Sequence, residues 1–161
     1  MPSSSNDPGN ENIHILVDAD SCPVKQEVYK VALRHQVQVK IVSNCYIKIP
    51  EYRIVTLIVV SSDFDAADDF IAEHAGSNSI VITSDILLAQ RSLKTRATVL
   101  APNGKPFTEN SIGAAVAQRA LMEDLRAGGE QTGGPPPFSK NDRSRFLASL
   151  HEALVKLKKG S

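Results

Sequence analysis

The chain has 161 residues, enough for one domain with a proper hydrophobic core and too few for two ordinary ones. Its 18 basic and 18 acidic residues cancel, so no global field draws it to nucleic acid or membrane, and a nucleic-acid ligand would need a local basic rim. Aliphatic side chains must build the core because aromatics are only 5% of the chain; Cys22 and Cys45 make no disulfide framework, and without a signal peptide or long apolar run the expectation is a soluble cytoplasmic protein.

Residues 1–12 are mostly Ser, Asn, Pro, Gly and acid, which predicts a disordered tail ahead of a single domain spanning 13–161. Ile13–Val17 reads as a buried strand ending in Asp18-Ala19-Asp20. Pro23 then suits the first position of a helix, capped by Asp20 or Ser21, with Val24, Val28, Val31 and Ala32 on its apolar stripe. Val37, Val39 and Ile41 restart a strand that stops at Ser43-Asn44. Ile54–Val60 is a third strand, continuously apolar, running into Asp63 and Asp65. A helix from near Asp65 turns Ala67, Phe70 and Ile71 inward, and Ser79–Thr83 is a fourth strand closed by Ser84-Asp85.

Ile86–Leu93 is the next helix, Ala97–Leu100 a short fifth strand, and Asn103-Gly104 a turn. Asn110 can cap a helix through Leu125 that carries Ile112, Val116 and Arg119. The Gly/Pro-rich stretch 128–138 excludes helix and central strand, so it is either a lid near a site or a plain linker. The last helix, 139–159, buries Phe146, Leu150, Leu154 and Leu157. Strands alternating with helices at this spacing predict an α/β fold with a mostly parallel central sheet covered on both faces.

The informative feature is where the acids fall. Asp18 and Asp20 end the first strand, Asn44 the second, Asp63 and Asp65 follow the third, and Asp85 closes the fourth. In a parallel sheet these ends share one edge, the edge at which open α/β folds bind ligands. Crowded carboxylates repel and raise one another's pKa unless a cation neutralises them. Oxygen donors without a His or Cys cluster suit Mg²⁺ or Mn²⁺. One or two such ions could activate water and steady a phosphoryl group. Helix capping competes with this, since Asp65 and Asp85 both stand at helix starts. Capping does not account for the double acid of Asp18-Ala19-Asp20.

The segments Val17-Asp18-Ala19-Asp20-Ser21-Cys22-Pro23, Phe64-Asp65-Ala66-Ala67-Asp68 and Val81-Ile82-Thr83-Ser84-Asp85 resemble the YaiI/YqxD family of uncharacterised bacterial proteins. Gly133-Gly134-Pro135 and Asp142-Arg143 with Phe146 extend the likeness across nearly the whole chain after Asn12. That family looks like a distant relative of PIN-domain ribonucleases, which implies a PIN-like three-layer sandwich. The PIN pattern has an Asp closing the first strand, an acid opening a middle helix and an Asp after a strand ending in Thr-x-Asp. Asp18 matches the first, Asp65 or Asp68 the second, and Asp85 the third.

The resemblance implies Mg²⁺- or Mn²⁺-dependent hydrolysis of phosphodiesters, RNA above all. Asp18, Asp20, Asp65, Asp68 and Asp85 are then the metal ligands, with Asp18 and Asp85 catalytic. Asn44, Lys25 and Arg143 are candidate substrate contacts, and Lys48, Arg91 and Lys94 could complete a rim for single-stranded RNA. No membrane partner is expected, and homo-oligomerisation stays open.

Two other functions fit parts of the pattern. Haloacid-dehalogenase-like phosphatases also place Asp-x-Asp after an apolar strand, but their later Lys has no counterpart in register here. A non-catalytic RNA- or protein-binding module would keep the fold with a vestigial site. Cys22 at a helix start could be a nucleophile, yet a small packed thiol is the plainer reading, and Cys45 likewise reads as core. His14, His35, His74 and His151 lie on separate elements without ligand spacing and read as strand or helix-surface residues. Asn44 reads equally well as a turn former.

Overall fold

In the computed structural model of the protein, the described residues are 13–63, 65–127 and 138–160. The expected tail, 1–12, and residues 128–137 of the Gly/Pro-rich loop lie outside them. The strands are β1 (His14–Asp18), β2 (Gln38–Ser43), β3 (Val55–Val59), β4 (Ser79–Ile82), β5 (Thr98–Leu100) and β6 (Pro106–Phe107). The helices are α1 (Lys25–His35), α2 (Ala66–His74), α3 (Ile86–Leu93), α4 (Glu109–Ala127) and α5 (Lys140–Gly160).

Alternation along the strands divides the core into two layers. Ile15, Val17, Val39, Ile41, Ile80 and Ile82 face α1 and α5, where they meet Val28, Phe146 and Leu150. Leu16, Val42, Val81 and Val99 face the other way, toward Ala67 and Ile71 of α2, Leu88 of α3 and Ile112 of α4. A sheet apolar on both faces must be covered on both, so the fold is a three-layer α/β sandwich. The sheet order is β3-β2-β1-β4-β5-β6, and every pairing is parallel except β5 with β6.

Several element ends differ from expectation for local reasons. The first helix starts at Lys25 rather than Pro23, after a 3₁₀ turn over Ala19–Ser21, and no side chain caps it. Cys22 precedes a proline, which disfavours helical backbone, and it is extended at φ −125°, ψ 93°. The cap of α4 is Thr108, not Asn110: its Oγ1 accepts from the Ser111 N–H at 3.1 Å, and the Ser111 Oγ accepts in return from the Thr108 N–H at 3.0 Å. At α5 the Ser139–Asp142 start holds, through reciprocal bonds of 3.1 and 2.9 Å. The short β6 has no periodic signature in sequence and exists because the turn at Asn103-Gly104 folds it back on β5.

Two connections are worth placing. Residues 44–54 cross from β2 to β3 without a helix, and Ile47, Ile49 and Ile54 pin this strap to the α1/α5 layer. Cys45 lies on it and is exposed, not core, because the buried strand ends two residues earlier. Between α1 and α5, His35 and His151, expected to be separate surface residues, meet at 2.9 Å, and the Lys158 ammonium donates to the His35 Nδ1 at 2.8 Å. Burial first, and then the Lys158 charge, hold the His35 imidazole below its usual pKa.

Candidate functional site

The chain leaves β1 toward β2 and β3, then crosses back through α2 to β4 on the other side of β1. That reversal opens a crevice beyond the carboxyl ends of β1 and β4. The register Val17↔Ile82 sets Asp18 and Thr83 side by side at its floor. Both are buried, and the Thr83 Oγ1 donates to the Asp18 Oδ2 at 2.9 Å. The same Oγ1 accepts from the Asp85 N–H at 2.9 Å. One hydroxyl therefore ties the acid of the first strand to the turn carrying the acid of the fourth.

The two helix-start aspartates divide between the readings left open by sequence. Asp85 caps α3: its Oδ1 accepts from the Leu87 and Leu88 N–H groups at 2.9 and 3.2 Å. Asp65 precedes α2, but its side chain makes no capping bond, and its backbone is left-handed at φ 69°, ψ 2°. Asp tolerates that region better than most residues, and such conformations gather at ligand sites.

Asp68, in the first turn of α2, has its carboxyl pushed up to about 6, first by burial and then by the charges of Asp85, Asp18 and Asp65, with Arg91 opposing. Its folded value exceeds the ordinary 3.8, so the folded chain keeps a proton that an unfolded one has released. This group favours folding at acid pH, and that contribution disappears as pH rises through about 6.

Asp18, Asp20, Asn44, Ser62, Asp63, Asp65, Asp68 and Asp85 line one open cleft of about 400 Å³. All five expected acids are among them. Sequence reading left Asp63 and Ser62 out of the site, although Asp63 was visible at the end of the third strand. It also missed the role of Thr83, whose only signal was the Thr-x-Asp spacing. The side chains that could hold a hard cation are Asp18, Asp20, Asp65, Asp68 and Asp85, which supply oxygen donors only. They share the cleft without being drawn together: among the described residues no three His, Cys, Asp or Glu side chains form a cluster ready to hold a metal ion.

Asn44 is at the cleft as expected, with its amide donating to the Ser61 carbonyl at 3.0 Å. Lys25 and Arg143 do not line it. The Lys25 ammonium donates to the Ala19 and Cys22 carbonyls at 2.8 and 2.9 Å, which holds the 3₁₀ turn bearing Asp20. The Arg143 guanidinium donates to the Pro23 carbonyl at 3.0 Å, reaches Glu27 at 3.4 Å and lies over the Phe138 ring, so it docks α5 against the start of α1. Arg91 pairs with Asp69 at 2.9 Å and links α3 to α2. Cys22 is buried, and burial pushes its thiol up to about 11, which removes it as a nucleophile at neutral pH. Among the described residues no helix is long and apolar enough to cross a membrane.

The model of the family described as "Uncharacterized BCR, YaiI/YqxD family" matches residues 16–156. A UPF0178 protein of Sphingopyxis alaskensis is 63% identical over 147 residues, covering 91% of this chain and 96% of that protein. A UPF0178 protein of Nitrobacter winogradskyi is 53% identical over 91% of this chain and 94% of its own length. One of Brucella ovis is 53% identical over 92% and 93%. No solved structure matches. The matched span runs from the middle of β1 into α5 and takes in every acid of the cleft, and on that footing the chain belongs to the YaiI/YqxD family.

Proposed function

We propose that the protein is a divalent-metal-dependent phosphodiesterase that cleaves single-stranded RNA in the cleft between β1 and β4. The observation carrying this reading is Asp65: an acid in a strained backbone conformation, without capping duty, facing the same cleft as Asp18, Asp68 and Asp85. Capping, the ordinary reason for acid at a helix start, does not explain it. An all-oxygen donor set fits Mg²⁺ or Mn²⁺, and positive charge would offset the neighbouring acid charges that add to burial in raising Asp68. A bound ion of this kind supplies Lewis-acid activation of a phosphodiester and of water.

The residues divide the remaining work. Asp18 is oriented by the Thr83 hydroxyl from below, and Asp85 is fixed by two N–H groups of α3, so neither must be ordered when a phosphate arrives. Asp65 precedes α2 and Asp68 lies in its first turn, and both line the same cleft. Asn44 and Ser62 are the neutral polar groups able to meet a phosphate oxygen without adding negative charge.

The test is purified protein with labelled single-stranded RNA, single-stranded DNA and a simple phosphate monoester, each in Mn²⁺ and in chelator. RNA should be cleaved in Mn²⁺ and left intact in chelator. Hydrolysis of the monoester alone would move the assignment to a phosphatase. No turnover of any substrate would leave a binding module.

A further inference from the structure

Two residues beyond Asn44, which lines this cleft, the chain carries an exposed aromatic ring. Tyr46 is 78% exposed, more than any other large apolar side chain among the described residues. Tyr52, the other tyrosine of the strap, packs edge-on against Tyr29 with ring centroids 6.5 Å apart. Tyr46 makes no such ring contact among the described residues. It follows Asn44, which lines the cleft, by two positions, so their Cα atoms lie at most about 7 Å apart.

The strap displays this ring rather than leaving it loose. Ile47 and Ile49 pack on the core, while Tyr46 and Lys48 between and before them are exposed. Alternation in an extended segment therefore puts Tyr46 and Lys48 on one outward face, anchored from beneath. Lys48 makes no ion pair among the described residues. A supported aromatic next to a cation is the pairing that binds unpaired nucleotides: the ring stacks on a base and the cation meets the backbone. Every base has a π-face, so such a platform selects single strands without selecting sequence.

We infer that Tyr46 is the base-stacking platform for a single-stranded substrate whose scissile phosphate enters the cleft past Asn44, with Lys48 on the adjoining phosphate. This rests on the proposed phosphodiesterase reading. It adds a positioning residue outside the acid cluster and a reason for preferring unpaired strands.

The experiment compares steady-state cleavage in Mn²⁺ of a short oligouridylate and of an abasic ribose-phosphate oligomer of equal length. The proteins are the wild type, Tyr46→Ala and Tyr46→Phe. Tyr46→Ala should raise KM for the oligouridylate roughly 5- to 150-fold, the range of single base-on-aromatic contacts, with kcat held. For the abasic oligomer the wild type and Tyr46→Ala should be equal, because the ring has no base to stack on. Tyr46→Phe keeps the ring and should match the wild type. Since Tyr46 is exposed, all three proteins should melt alike. Equal KM for wild type and Tyr46→Ala on the oligouridylate would overturn the stacking role and leave the phosphodiesterase reading standing. Absence of cleavage by the wild type would overturn both.

Discussion

Asp85→Asn is expected to lower metal-dependent RNA turnover by roughly a thousandfold or more while leaving the melting temperature almost unchanged. The pairing of those two results is what makes the substitution informative. Asp85 has two tasks that pull apart chemically. As a cap it accepts from the Leu87 and Leu88 N–H groups, and Asn caps a helix about as well as Asp does. As a cleft acid it contributes a negative charge, which the amide lacks. An Asp85→Ala change would remove both and cost about 1 kcal/mol of stability besides. The measurement is kcat/KM on labelled RNA beside a thermal melt. If Asp85→Asn cleaves RNA at the wild-type rate, Asp85 is a helix cap and nothing more.

Gly104→Ala is expected to destabilise the fold by about 2–4 kcal/mol, because it adds left-handed strain to an overpacked contact. Gly104 has φ +89°, and a Cβ there would stand 2.7 Å from the Arg145 carbonyl carbon and 2.8 Å from the Phe146 nitrogen. Both are backbone atoms of α5, which cannot swing aside like the end of a side chain. The Ser149 hydroxyl fastens the same place by donating to the Gly104 carbonyl at 2.7 Å. Moving α5 away would loosen Phe146 and Leu150, which are fully buried beneath it. Urea denaturation would read the loss as a lower midpoint at unchanged slope. A loss below about 0.5 kcal/mol, the level of an ordinary surface substitution, would mean that α5 does not rest on this turn.

The acid edge was legible because it depends on strand order alone. Once Ile13–Val17 and Ser79–Thr83 are parallel neighbours, Asp18 and Asp85 must come out on the same side. The two-faced core was legible too, since Ile15–Val17 and Ile80–Ile82 are unbroken apolar runs where a half-exposed strand would alternate. What the sequence left ambiguous depends on where individual side chains turn. Asp65 and Asp85 look alike as acids before a helix, and only backbone geometry separates the strained one from the cap. Lys25 and Arg143 read as substrate contacts because a sequence cannot show that the carbonyls of Ala19 and Pro23 await them. Thr83 is a single hydroxyl whose importance is wholly tertiary: it acts through Asp18, 65 positions away. Tyr46 escaped notice because its exposure follows from the neighbouring isoleucines finding the core.

Uptake of a divalent cation by the cleft is tested most directly by thermal melting. An ion bound only by the folded chain stabilises it by about 2.7 kcal/mol at a hundredfold excess over its dissociation constant. For a chain of this size that is a rise of roughly 5–10 °C. The wild type should therefore melt higher in millimolar Mn²⁺ than in chelator, and Asp18→Asn, which keeps an acceptor for Thr83 but loses the charge, should show no such rise. A wild type that melts at the same temperature in both would contradict the account.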